Sequence, residues 1–189
     1  MKKLMIAAAI VCAAALSQAA SIDWSTAANA WSWKNSTASK KEVTLYLVNA
    51  AEQATIITAI NGGKTSFTTG DTGILGLGIT TTVNTKGAVN VTPATSASLV
   101  AGTAYDYKVL IIDTNSPNGP YYQFSSAKNK AAYDKSDEVY YETTSVTFGS
   151  SDFTTSGGGT GWVQVAPEPT SALLLLLGVA GLALRRRRA

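Results

Sequence analysis

Along the middle of the chain, apolar and polar side chains alternate with a period of two, the pattern of strands that bury one face. Val43, Leu45 and Leu47 point one way, and Thr44, Tyr46 and Val48 the other. Tyr105, Tyr107 and Val109 alternate with Asp106 and Lys108 before the run Leu110-Ile111-Ile112. Shorter strand candidates are Thr80–Val83, Ala88–Val91, Tyr121–Phe124, Val139–Thr143, Val146–Phe148 and Trp162–Val165. Turn-forming residues separate them: Asn61-Gly62-Gly63, Lys86-Gly87, Ser116-Pro117-Asn118-Gly119-Pro120 and Gly149-Ser150-Ser151. Gly73–Gly78 reads as a bulged or flexible strand, and the glycine-rich stretch Thr154–Gly161 as a loop before the last strand. One helix is expected over Ala50–Ile60, with Asn49 as its cap, Glu52 closing a capping box and Gly62 ending it. The β-branched run Thr55-Ile56-Ile57-Thr58 is the argument for a strand there instead.

At both ends the alternation gives way to unbroken apolar runs. Lys2 and Lys3 precede Leu4–Leu16, and Ser17-Gln18-Ala19 then places small residues where a signal peptidase needs them. The run of about 13 residues is too short for a bilayer span of roughly 20. Residues 1–19 therefore read as a signal peptide cleaved between Ala19 and Ala20, with cleavage after Ala20 the rival; Val11 before Cys12 argues against a lipoprotein site.

The C-terminal end reads Pro167-Glu168-Pro169-Thr170, then Ser171–Leu184 without a charge, then Arg185, Arg186, Arg187 and Arg188 before Ala189. As a helix, 171–184 would extend about 21 Å against a hydrocarbon core of about 30 Å, and snorkelling arginines recover part of the difference. The arginine cluster favours the cytoplasmic side, which leaves the body outside. Burial as a core helix is opposed by four consecutive arginines with no carboxylate run to pair them.

Residues 167–189 closely resemble the PEP-CTERM sorting signal, in which a Pro-Glu-Pro motif, a Leu-rich helix and an arginine cluster follow in that order at the chain end. The resemblance implies recognition of Pro167, Glu168 and Pro169 by an exosortase in the membrane of a bacterium that makes extracellular polysaccharide. A second, shorter resemblance lies in Leu99–Tyr107, which is similar to the strand entry of fibronectin type III domains. It implies a sandwich in which Tyr105 buries its ring while its hydroxyl bonds nearby backbone, a tyrosine corner.

Composition narrows the chemistry. Only 14% of residues are charged, against a usual quarter. The net charge of +3 comes from the ends: residues 20–166 hold nine Lys against seven Asp and four Glu, a net of −2. A basic nucleic-acid face is not supported. The chain has no His, and its one Cys, Cys12, lies in the export segment, so His- or Cys-based nucleophile pairs are ruled out for the body. Asp134, Asp137, Glu138 and Glu142 cluster, but Lys128, Lys130 and Lys135 interleave with them as on a solvated face. Asp113-Thr114-Asn115 with Asn118-Gly119 lacks the spacing and terminal Glu of a calcium hand and reads as a turn.

Aromatic residues are the remaining signal. Trp24, Trp31 and Trp33 crowd the start of the body, and Tyr121-Tyr122 and Tyr140-Tyr141 come in pairs. On a strand, each pair would turn one ring inward and one outward, and the outward rings could stack on sugars.

The expected organisation is a signal peptide (1–19), a single mainly β, sandwich-like extracytoplasmic domain with one short helix (20–166), and a sorting tail with transmembrane helix 171–184 (167–189). The expected function is that of a non-catalytic protein without cofactor or metal, exported, held at the inner membrane as a processing intermediate, then placed at the cell surface or in the extracellular matrix. Signal peptidase, exosortase and the membrane are the expected partners, with polysaccharide a further candidate. The alternative is a carbohydrate-binding module of the exopolysaccharide layer.

Overall fold

The computed structural model describes residues 20–31, 43–80, 89–114, 116, 118–134 and 145–165. They are mainly β: two sheets and one α-helix. The smaller sheet has the order β4-β1-β8, from strands Val89–Ser96, Ala20–Thr26 and Val146–Phe148. β1 runs antiparallel to β4 and parallel to β8. The larger sheet has the order β3-β2-β5-β6-β9, from Ile74–Thr80, Val43–Asn49, Ala104–Asp113, Tyr121–Phe124 and Val163–Gln164, and β7 (Lys128–Ala131) also pairs with β5. All its described pairings are antiparallel.

β5 is long enough to serve two partners along one edge. Leu110–Asp113 face β6 and Ala104–Tyr107 face β7. Between them the neighbouring chain breaks register at Ser125. Its N–H donates to Val109 O at 2.9 Å, and its Oγ accepts from Val109 N–H at 2.8 Å, so the ladder stays satisfied through the break.

The alternation in β2 and β5 does not mark half-buried strands, because both faces are covered. Leu45, Leu47, Tyr107, Val109 and Ile111 point into the core between the sheets, with Ile22, Trp24 and Phe148 opposite. Tyr46, Val48, Leu110 and Ile112 point the other way, under Ile56 and Ile60 of the helix α1 (Gln53–Asn61). A strand buried on both faces reads as a continuous apolar run, which accounts for Leu110-Ile111-Ile112. The result is three layers: small sheet, large sheet, helix.

The helix begins differently from its sequence signature. A 3₁₀ turn over Ala50–Glu52 precedes α1, and Asn49 Oδ1 caps that turn by accepting from Ala51 N–H at 3.0 Å. The capping box does not close. Asn49 N–H donates instead to Gly73 O at 2.9 Å, and the Glu52 carboxylate takes the Thr55 hydroxyl. At the far end Gly63, not Gly62, takes the left-handed conformation, with φ 90°.

Strand β4 runs further than its alternation indicates, through Pro93 to Ser96. It lies at the edge of the small sheet, where a residue without N–H is tolerated. β3 carries the bulge expected of Gly73–Gly78, seen as a register shift opposite Leu47/Val48. The last strand shortens to Val163–Gln164. Thr154–Gly161 is not a loose loop: 3₁₀ turns over Ser150–Phe153 and Thr155–Gly157 pack it closely. A Cβ on Gly157 would overlap Ser151 O, and one on Gly159 would lie 2.5 Å from Asp152 O, so these glycines serve close approach.

Two strands have no apolar alternation to reveal them. β1 reads Ala-Ser-Ile-Asp-Trp-Ser-Thr, yet it is the central strand of the small sheet and almost wholly buried. Its polar face is satisfied locally: Ser21 exchanges backbone hydrogen bonds with Tyr133, and Asp23 accepts from the Tyr133 hydroxyl at 3.1 Å. β7 is polar and half exposed, held by its register with β5.

The tyrosine corner is present with its rings reassigned. The Tyr105 hydroxyl accepts from Val100 N–H at 3.0 Å, as the motif implies, but the Tyr105 ring is only half-buried. Tyr107, on the same face two residues on, is the one with no exposure. Tyr105 lies where β5 enters the sandwich, whereas Tyr107 lies between the two sheets. Candidate strand Val139–Thr143, residues 81–83 of Thr80–Val83, and Trp33 lie outside the described residues; Thr80 closes β3.

Candidate functional site

The sorting-motif residues Pro167, Glu168, Pro169 and Arg185 to Arg188 lie outside the described residues, as do Ala19, Tyr140 and Tyr141. Ala20 opens β1 with its side chain fully buried, paired with Ser96. Among the described residues no helix is long and apolar enough to cross a membrane.

Tyr121 and Tyr122 divide as the strand period requires. The Tyr122 ring is buried beneath the helix, edge-on to Phe124 at 5.9 Å. Burial pushes its phenol above the usual range. Tyr121 is half-buried on the opposite face, at the position paired with Asp113. The two are not neighbours on one surface, so they do not form a flat aromatic platform.

The residues that do converge come from four separate stretches. β6 places Gln123 on the inter-sheet side, opposite Ile111. Thr160 N–H donates to Phe124 O and the Thr160 hydroxyl accepts from Phe124 N–H, which starts residues 160–164 along the outer edge of β6. The β6–β9 register, Tyr122 with Val163, then brings Trp162 beside Gln123. Trp31 arrives from the turn after β1, where Asn29 takes a left-handed φ of 57°, which Asn tolerates well. Phe153, Ser150 and Thr154 come from the 3₁₀ segment that follows β8.

Together they line an open cavity of about 280 Å³. Its apolar walls are Trp31, Phe153 and Trp162; its polar groups are Asn29, Gln123, Ser150 and Thr154. None of its described lining residues is charged. Gln123 is only 3% exposed, and its Nε2 has no hydrogen-bond partner among the described residues. Leaving a buried donor unmatched costs about 1–3 kcal/mol.

One wall of this cavity is held by Asp152. Its carboxylate accepts from the Ser126 hydroxyl at 2.7 Å, Gly149 N–H at 2.7 Å and Lys128 Nζ at 2.9 Å. Burial pushes this carboxyl up, but those hydrogen bonds and the Lys128 charge outweigh it and hold it below the usual value. A second cleft, of about 290 Å³, lies between the start of the helix and the end of β4, lined by Asn49, Glu52, Asp71, Ser96 and Ser98. Its Asp71 is already engaged: the Lys64 ammonium and Thr68 N–H bind the carboxylate and hold it below the usual value.

The sequence pattern pointed to Trp31 among the clustered tryptophans and to Trp162 only as the start of a strand; it did not point to Gln123, Asn29 or the 3₁₀ wall. The fold is a mainly β, two-sheet body with one helix packed on the outer face of the larger sheet. No family model, no curated protein and no solved structure matches this chain.

Proposed function

We propose that the chain is an exported, non-catalytic protein of a bacterial cell surface or extracellular matrix, sorted by an exosortase through its tail. The observation that carries this reading is the ordered C-terminal pattern: Pro167-Glu168-Pro169, then the uncharged stretch Ser171–Leu184, then Arg185 to Arg188. Behind an N-terminal export segment, that order suits a protein presented to a membrane enzyme from outside. A scaffolding role for the body draws support from its packed aromatic set: Trp24, Trp31, Tyr46, Phe67, Tyr107, Tyr122, Phe124, Tyr133, Phe148 and Phe153 are all buried. A sugar platform made of outward tyrosines gains no such support, since the Tyr122 ring is interior.

The test is made in the native host. Glu168→Ala should impair tail processing and leave the body folded. Replacing Arg185 to Arg188 with Ser should spoil membrane retention and orientation. N-terminal analysis of exported protein should find Ala20 first. Wild-type processing and location of both variants would defeat the proposal.

A further inference from the structure

We propose that the cavity between Trp31, Trp162 and Gln123 is a binding site for a neutral saccharide, sized for one pyranose ring. The inference is independent of the sorting reading, since it rests on the body alone.

Four observations carry it. First, the walls combine aromatic faces with hydrogen-bonding groups, the two chemistries a sugar ring presents on its C–H face and its hydroxyl rim. Trp162 is half-exposed and packs against the core, so its indole offers a surface already fixed in place. Trp31, 5% exposed, closes the cavity behind it. Second, among the described lining residues the polar groups are amides and hydroxyls, from Asn29, Gln123 and Ser150, with the Thr154 hydroxyl already bonded to Ser151 O and Gly157 N–H. A charged ligand would find no counter-charge among them and would lose its hydration uncompensated, so the ligand is neutral.

Third, the buried Gln123 amide donor is unmatched. Nε2 is closed to solvent. The terminal torsion of a glutamine is soft, so the carboxamide can turn to meet a ligand oxygen and recover the cost of the unmatched donor. Fourth, the walls are preorganised. Asp152 ties together Ser126, Lys128 and Gly149 behind the 3₁₀ segment, and Gly161 turns the chain into Trp162 with φ 62°. Little ordering is left for binding to supply, which favours a ligand with few contacts. At about 280 Å³ the site lies at the small end of ligand cavities, so it takes a single ring and leaves the rest of a longer glycan outside.

The experiment titrates the full chain with glucose, galactose, mannose, N-acetylglucosamine and glucuronate. Binding is followed by tryptophan fluorescence and by the Gln123 side-chain amide resonance. At least one neutral pyranose should bind saturably and shift that resonance, and glucuronate should bind at least tenfold more weakly. Gln123→Met, close in volume, should weaken binding at least tenfold without lowering the melting temperature. Trp162→Ala, at a half-exposed position, is the second variant and should weaken binding to a similar degree. Absence of saturable binding by every neutral probe, preference for glucuronate, or binding unchanged in both variants would overturn the assignment.

Discussion

Tyr105 and Tyr107 lie on one face of one strand with ring centroids 6.3 Å apart, yet removing their hydroxyls should change stability in opposite directions. The Tyr107 hydroxyl is fully buried and has no partner among the described residues. Tyr107→Phe therefore removes a desolvation cost of about 1–3 kcal/mol. It leaves a void of roughly 10–15 Å³, about one probe sphere, which costs about 0.2–0.4 kcal/mol at 24 cal/mol per Å³. The net expectation is a gain of about 0.6–2.8 kcal/mol, or roughly 1–11 °C in Tm for a chain of this size. Tyr105→Phe instead loses the bond from Val100 N–H. Val100 is exposed, so water can replace the lost acceptor, and the cost should be about 0.5–1 kcal/mol.

Alkaline titration gives an independent reading. Burial, with a smaller contribution from Tyr105, pushes the Tyr107 phenol far above its ordinary value of 10.0. An acid whose folded pKa is raised keeps its proton in the folded state while the unfolded chain releases it. Stability from this group is therefore complete below pH 10.0 and is lost as pH rises beyond it. Wild-type protein should begin to lose stability near that pH, and Tyr107→Phe should move the onset upward. Urea unfolding of both variants, at neutral pH and along an alkaline series, checks the whole argument. A Tyr107→Phe protein less stable than Tyr105→Phe would show that the buried hydroxyl is matched, and the reasoning would fail.

Gly76 of β3 faces Ala94 of β4 and Trp24 of β1, and a Cβ there would sit 2.6 Å from Ala94 Cβ and 3.3 Å from Trp24 Nε1. Gly76→Ala should cost about 1–3 kcal/mol by overpacking, read as a lower urea midpoint with unchanged slope; a neutral effect would mean that the sheets separate freely. Asp152 should make the body acid-sensitive. Its folded pKa is depressed below the ordinary value of 3.8, so its stabilisation is complete above that pH and fades as pH falls through the lower folded value. Asp152→Asn should flatten that acid limb of the stability curve, and an unchanged limb in thermal melts between pH 5 and 2 would count against the role given to this carboxylate.

Features that depend on local pattern were readable from the residues alone. Period-two alternation located β2, β5, β6 and β8, the Ser116–Pro120 turn set the hairpin between β5 and β6, and Asn49 marked the entry to the helix. Composition also excluded His- and Cys-based chemistry in the body outright, because residue types need no fold to be counted. Tertiary structure decided everything that depends on partners distant along the chain. β1 is invisible locally, since Ser21 and Asp23 break its apolar pattern, and their burial is acceptable only because Tyr133 arrives from 110 or more residues away to bond them. The helix packs over the second face of the large sheet, which turned expected half-buried strands into fully buried ones. Tyr105 and Tyr107 have the same residue type, strand and face, and only depth between the sheets separates them. The cavity shows the same division: Trp31 and Trp162 were legible as residues, but their meeting with Gln123 required strand register and a glycine-packed 3₁₀ wall to bring four stretches of chain together. Local sequence specifies backbone preference within a few residues, whereas burial and juxtaposition are set by which surfaces remain to be covered once the sheets have formed.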